Sequence, residues 1–156
     1  GVKAFLLTGI GDALKGFAAV MAARAIAGQA EWSGAVGGLM AVIGHNWSVY
    51  IGFKGGAGTA PNIGASIAFW PWAGLYLVLL VPVCIYATGY GSVASIVVAA
   101  AVVITFVARA ALGADTTWWY AGYSVLAAAV VLWALRPNIQ RLRQGTERKI
   151  GPRADH

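Results

Sequence analysis

Charge is what this sequence has least of. Only 10% of its 156 residues are Asp, Glu, Lys or Arg, and just five are acidic. Ordinary soluble domains carry about 25% charged residues, so a surface wetted all round is excluded. Cysteine is nearly absent too: Cys84 stands alone in an apolar run, which excludes an internal disulfide and leaves a small packing residue. Two histidines, His45 and His156, have no ligand-spaced partners, so no metal signature exists. No serine–histidine–acid set can be built from spacing either.

What the chain has instead is apolar length. Hydrophobic residues make up 60% of it, and its mean hydropathy is +0.73. Seven tryptophans and six tyrosines suit a membrane interface. Apolar runs cover residues 3–27, 35–52, 62–70, 72–87, 92–112 and 117–135, separated by turn-like segments at 28–33, 88–92 and 113–116. Long runs joined by short turns predict helices, because a bilayer forces the backbone to satisfy its own hydrogen bonds. The expected fold is therefore all-α, a polytopic membrane helical bundle over residues 1–135, followed by a basic tail at 136–156.

Six of the eleven basic residues fall after residue 135. That asymmetry marks a cytoplasmic tail rather than a nucleic-acid surface. Within the tail, Ile139, Leu142 and Thr146 stand at helical spacing, and Arg141, Arg143 and Arg148 are placed to meet lipid phosphates. No charged n-region with a cleavage site precedes the first run, and the chain starts without an initiator methionine, as a processed protein or a fragment would.

The glycine-rich loop after residue 52 is placed by counting crossings back from the tail. If residues 62–87 form one helix, the loop lies outside. If the chain turns at "WPW", residues 70–72, the loop lies on the cytoplasmic side with the tail. Pro71 between two interfacial tryptophans favours the turn. The cost is that residues 62–70 reach only about 13 Å as a helix, so this element must be tilted, extended by the loop or half-crossing.

The polar residues gather toward that face. Asp12 and Lys15 lie three apart in an apolar run, either as a neutralising pair or as part of a polar site. His45 is a packing histidine, a general base or a hydrogen-bond donor; beside it, Asn46 can donate to an oxyanion or hydroxyl. "FKGGAGT", residues 53–59, offers backbone N–H groups, with Lys54 and Thr59 as further donors and a helix N-terminus near Pro61. A plain membrane turn also favours glycine, and the nucleotide-binding P-loop pattern is absent. Glu147 either pairs locally with Arg143 or Arg148 or joins the site. Together these residues predict a cytoplasm-facing cleft, rich in cations and N–H donors beside lipid, suited to a phosphorylated substrate meeting an acyl chain.

Three segments carry a resemblance to a known family. "GDALKGF" (11–17) is similar to a D-x-x-K-G element, "GHNWSVYIGFKGGAGTA" (44–60) to G-H-N followed by F-K-G-G-K-G, and "NIQRLRQGTERKIG" (138–151) to N-I-x-R-L followed by G-T-E. In that order and spacing they resemble the PlsY family of bacterial acyl-phosphate:glycerol-3-phosphate acyltransferases.

The resemblance implies a seven-helix bundle in the inner membrane, with active site and C-terminus cytoplasmic. It implies transfer of a fatty acyl group from acyl phosphate to the 1-hydroxyl of glycerol 3-phosphate. Lysophosphatidate and phosphate result, the first step of phospholipid synthesis, with no metal or nucleotide cofactor. By matched position, Lys15, Lys54, Gly55, Gly56, Gly58 and Thr59 are expected to bind substrate or phosphate. His45 and Asn46 are expected to position glycerol phosphate or stabilise the oxyanion. Glu147 is expected to orient a cation or hydroxyl. A substrate phosphate can also accept the hydroxyl proton, so no dedicated base is required.

The chain departs from the pattern in places. The family has a further helix and an S-G-N-x-G-A-x-N loop before this point, so the chain is expected to begin just after that loop. Ala57 stands where the family has a second lysine, and Ser48 where a proline is frequent. Two other readings stand beside the enzyme: a catalytically impaired relative that binds phosphate-bearing lipid or anion, favoured by Ala57, and a small membrane transporter subunit, for which neither an inverted repeat nor mid-depth polar residues are evident.

Overall fold

The computed structural model describes residues 2–47, 55–114 and 117–150, with side chains from Leu6 onward. Its elements are α1 (Val2–Ile26), α2 (Glu31–Asn46), α3 (Thr59–Phe69), α4 (Ala73–Thr88), α5 (Gly91–Ala111), α6 (Trp118–Ala134) and α7 (Arg136–Arg143). All regular structure among the described residues is helical, and the chain is an all-α membrane bundle. Residues 6–26 of α1 and all of α5 are long and apolar enough to cross a membrane, and α6 with α7 makes a third candidate, bent by 60° between them. Leu7, Leu79 and Ile104 are among many large apolar side chains left exposed. In water that outer surface would be costly; in lipid it is the solvent-matched one.

Small residues set how closely the helices approach. A Cβ on Gly16 would collide with the Pro61 carbonyl, and one on Gly64 with the Ala13 carbonyl. Helices α1 and α3 therefore cross backbone to backbone, as membrane helices with small interfacial residues do. The core they help enclose is aromatic at one end: Phe69 stacks on Tyr120 with ring centroids 4.3 Å apart and meets Phe106 and Tyr123 edge-on. Buried Asn62 accepts a 2.7 Å hydrogen bond from the Tyr123 hydroxyl.

The chain breaks between α3 and α4. Helix α3 stops at Phe69, the Ala73 amide donates to the Trp70 carbonyl and the Gly74 amide to the Pro71 carbonyl, and Gly74 comes back against Ile67. At this same end Arg24 of α1 donates to the Ala68 carbonyl and the Tyr120 hydroxyl. Arg109 of α5 lies 4.0 Å over the Trp70 ring. The opposite end carries the Gly55–Gly58 loop, the α4–α5 turn and α7. Helix α3 starts three residues before the predicted run at 62, at Thr59, so the loop lengthens it. Helix α2 starts at Glu31 rather than 35. Of the predicted run 35–52, residues 48–52 lie outside the described residues.

Candidate active site

At the loop end, the bundle opens into a cleft of about 1320 Å³. Three chain segments far apart in sequence supply its polar wall: Asp12 from α1, His45 with Gly55, Gly56, Gly58 and Thr59 from the α2–α3 connection, and Asn138, Arg141, Glu147 and Arg148 from α7 and the chain beyond it. The facing wall is apolar, with Leu6 and Ile10 of α1 opposite Val78, Val81 and Ile85 of α4.

The glycine loop is folded tightly onto the end of α2. The Gly55 amide donates to the Asn46 carbonyl at 3.2 Å. A Cβ on Gly55 would collide with the His45 carbonyl, and one on Gly58 with Asn46 Oδ1. Gly58 also has φ +79°, the left-handed conformation that glycine adopts without penalty. It immediately precedes α3, so unpaired first-turn N–H groups and the positive helix end lie beside the loop. Here an anion meets donors and a favourable dipole together.

Asn46 is buried beneath this loop, and neither its Oδ1 nor its Nδ2 has a hydrogen-bond partner. The Thr59 hydroxyl is likewise buried and unpartnered. Unsatisfied polar atoms cost stability unless something pairs with them; clustered around an N–H cradle, they mark it as built for a polar ligand. His45 stands at the edge, its Nε2 the ring atom nearest Gly56. Its Nδ1 lies 3.5 Å from Asp12 Oδ1, which also accepts from Lys15 Nζ at 3.0 Å. Lys15 is bound to Asp12 and lies mostly in solvent outside the cleft lining. Lys54, the other expected cation, lies outside the described residues, as does Ser48.

Glu147 reaches the cleft because the chain reverses after α7. Gly145, at φ +69°, ends the helix, the Thr146 amide returns to the Arg141 carbonyl, and Glu147 lies back along the helix. There it accepts from Asn138 Nδ2 at 2.7 Å and from Arg141 Nε at 2.8 Å. Its partner is thus Arg141, not Arg143 or Arg148. Desolvation pushes its carboxyl up, but the Asn138 hydrogen bond and the Arg141 hydrogen bond and charge outweigh that and hold it below the usual carboxylate range. Ser92, the second residue of α5, lines the same cleft, buried and with its hydroxyl unpartnered. Sequence reasoning missed it, as it missed Asn138 as the holder of Glu147; a serine within an apolar run gives no signal of what lies across the cleft.

An N–H cradle and cations facing an apolar wall, in a membrane bundle, define a membrane protein that handles an anionic head group and an acyl chain together. A sequence model of the family described as glycerol-3-phosphate acyltransferase matches residues 1–145. A glycerol-3-phosphate acyltransferase of Rubrobacter xylanophilus is 41% identical over 154 residues, covering 99% of this chain and 74% of that protein. Glycerol-3-phosphate acyltransferase 1 of Deinococcus radiodurans is 38% identical over 147 residues, covering 94% of this chain and 71% of its own length. Crystal structures of PlsY, an integral membrane glycerol 3-phosphate acyltransferase, in lysophosphatidic acid and glycerol 3-phosphate forms are each similar at TM-score 0.80 and 30% identity. They cover 96% of this chain and 74% and 72% of those chains. The chain belongs to the PlsY family of membrane-embedded glycerol-3-phosphate acyltransferases.

Proposed function

We propose that the protein transfers a fatty acyl group from acyl phosphate to the 1-hydroxyl of glycerol 3-phosphate, giving lysophosphatidate and phosphate. The observation that carries this reading is the single cleft with the glycine loop on one wall and α1–α4 apolar side chains on the other. In the reaction the glycerol hydroxyl oxygen bonds to the acyl carbonyl carbon, the bond from that carbon to the phosphate oxygen breaks, and phosphate leaves with the electron pair. Loop N–H groups of Gly55, Gly56 and Gly58, with Lys54 and Thr59, receive a phosphate. His45 and Asn46 serve the hydroxyl and the developing oxyanion, where fixed donors are worth most. Lys15 acts through Asp12, to which it is bound. Glu147 holds Arg141 toward the cleft.

Acyl phosphate enters from the bilayer between α1 and α4, and glycerol 3-phosphate enters from the cytoplasm. In this reading the protein lies in the bacterial inner membrane with the cleft and C-terminus cytoplasmic. The basic residues after position 135 support that orientation. The glycerol 3-phosphate and lysophosphatidic acid forms described for PlsY support the acceptor and product.

The test supplies acyl phosphate and labelled glycerol 3-phosphate to membranes containing the protein. Lysophosphatidate is expected, and His45→Ala membranes are expected to make far less. No product, with no difference between the two membranes, overturns the enzyme reading. Ala57 on the cleft wall favours a second one, an anion-binding relative without transfer; retained glycerol 3-phosphate affinity with no turnover selects it.

A further inference from the structure

The sequence leaves open whether His45 donates a hydrogen bond or accepts a proton, and the packing of α1 against α2 bears on that choice. Asp12 is 8% exposed, on α1, and its Oδ1 lies 3.5 Å from His45 Nδ1. The opposite edge of the ring, Nε2, faces Gly56 of the loop. We infer that Asp12 is a positioning residue for acyl transfer: it keeps the His45 Nδ1 proton turned toward α1, so that the Nε2 lone pair faces the cleft and takes the proton of the attacking hydroxyl. The inference rests on the proposed acyl transfer and assigns the proton's destination within it.

The physical argument has two parts. A carboxylate only accepts, so the imidazole nitrogen beside it must be the protonated one, and the other is then an acceptor. Fixing that tautomer is the work of the buried aspartate in a serine–histidine–aspartate triad, which orients the ring without itself taking the proton. A separation of 3.5 Å is long for a hydrogen bond, but such contacts tighten when substrate fills a site. Asp12 would otherwise be a counter-ion that lets Lys15 sit in an apolar helix, yet Lys15 already has solvent and Asp12 is the buried partner of that pair. Placing the carboxylate inside, against the ring, serves His45.

Proton balance is simple. The hydroxyl proton moves to Nε2, leaving His45 cationic between Asp12 and the cleft, and passes to a departing phosphate oxygen or to water as the site empties. The charged groups around this event are Asp12 and Lys15 on α1, and Arg141, Glu147 and Arg148 across the cleft.

The experiment uses the full chain with His156→Ala, purified in bicelles and labelled with 15N histidine, alone and with Asp12→Asn. The expected spectrum of the parent shows one neutral His45 tautomer, protonated at Nδ1 and bare at Nε2. The expected Asp12→Asn spectrum shows the other tautomer or a mixture. Acyl transfer in the same samples is expected to lose at least tenfold in kcat with KM for glycerol 3-phosphate changed less than threefold. Asp12→Asn with Lys15→Gln separates the rival role. If Asp12 only neutralises Lys15, this uncharged pair recovers kcat and overturns the inference; if Asp12 positions His45, kcat stays low. An unchanged tautomer in Asp12→Asn overturns it too. The tautomer is read without turnover, so an inactive parent with the expected spectrum counts against the acyl-transfer reading and not against the Asp12–His45 pairing.

Discussion

Arg141 and Glu147 are joined by a 2.8 Å contact between Nε and Oε2, although the carboxylate lies beyond the end of the helix that carries the arginine. The Glu147 side chain is 8% exposed and the Arg141 side chain 47%. The acid is thus the fixed member, and the arginine reaches outward from it along the cleft wall.

This pairing makes the chain after α7 sensitive to acid. The Glu147 carboxyl is held below its ordinary value of 4.5, so the folded state prefers the charged form. Its contribution is full above that ordinary value and is lost as pH falls through the lowered native value. Hydrogen exchange of residues 144–150 is expected to be slow at pH 7 and to accelerate in strongly acidic solution before the helices open. Glu147→Gln is expected to show fast exchange at every pH.

Gly58→Ala adds a Cβ where φ is +79° and where Asn46 Oδ1 already stands. The left-handed conformation alone costs a non-glycine residue about 1–2 kcal/mol. The expected outcome is at least tenfold weaker glycerol 3-phosphate binding, read by calorimetry, with the bundle still folded. Gly113→Ala, also at positive φ but open on all sides, provides the comparison for backbone strain away from the site.

Ala57→Lys puts a cation on the cleft wall. A hydrogen bond to a charged group is worth about 1.5–3 kcal/mol, so glycerol 3-phosphate is expected to bind about 10- to 100-fold more tightly. An unchanged KM would mean that the cations already lining the cleft, Arg148 among them, satisfy the phosphate.

Gly64→Ala tests the α1–α3 crossing. The new methyl would meet the Ala13 carbonyl and Cα, which cannot rotate away, and overpacking of this kind costs about 1–3 kcal/mol. A lowered melting temperature in detergent is expected. Activity is expected to fall with it, since Asp12 is the neighbour of the displaced residue.

The class of the protein was legible because it rests on composition and on three short motifs that hold their order along the chain. The turn at Trp70–Trp72 was legible for a local reason, a proline flanked by interfacial rings. What could not be read was everything made across the bundle. Nothing in the order of residues says that Asp12 meets His45, that Asn46 goes under the loop rather than into the cleft, or that Ser92 faces Glu147. The arginine chosen by Glu147 was hidden by one backbone torsion. Gly145 in the left-handed region reverses the chain and passes over the adjacent Arg148 in favour of Arg141. The helical spacing that groups Thr146 with Ile139 and Leu142 likewise ends at that turn: Ile139 packs on Val42 and Val131, while Thr146 lies past the helix.

Helix α3 has eleven residues, so it rises only about 16 Å, roughly half of a hydrocarbon slab of about 30 Å. Its far end is fixed beside the Trp70–Trp72 pair, at the depth where indole rings settle. The glycine loop at its near end is then sunk below the opposite surface like the floor of a well. A water-borne phosphate must come down to meet the lipid at the depth of its acyl carbonyl, and the lipid need not be lifted out to be used.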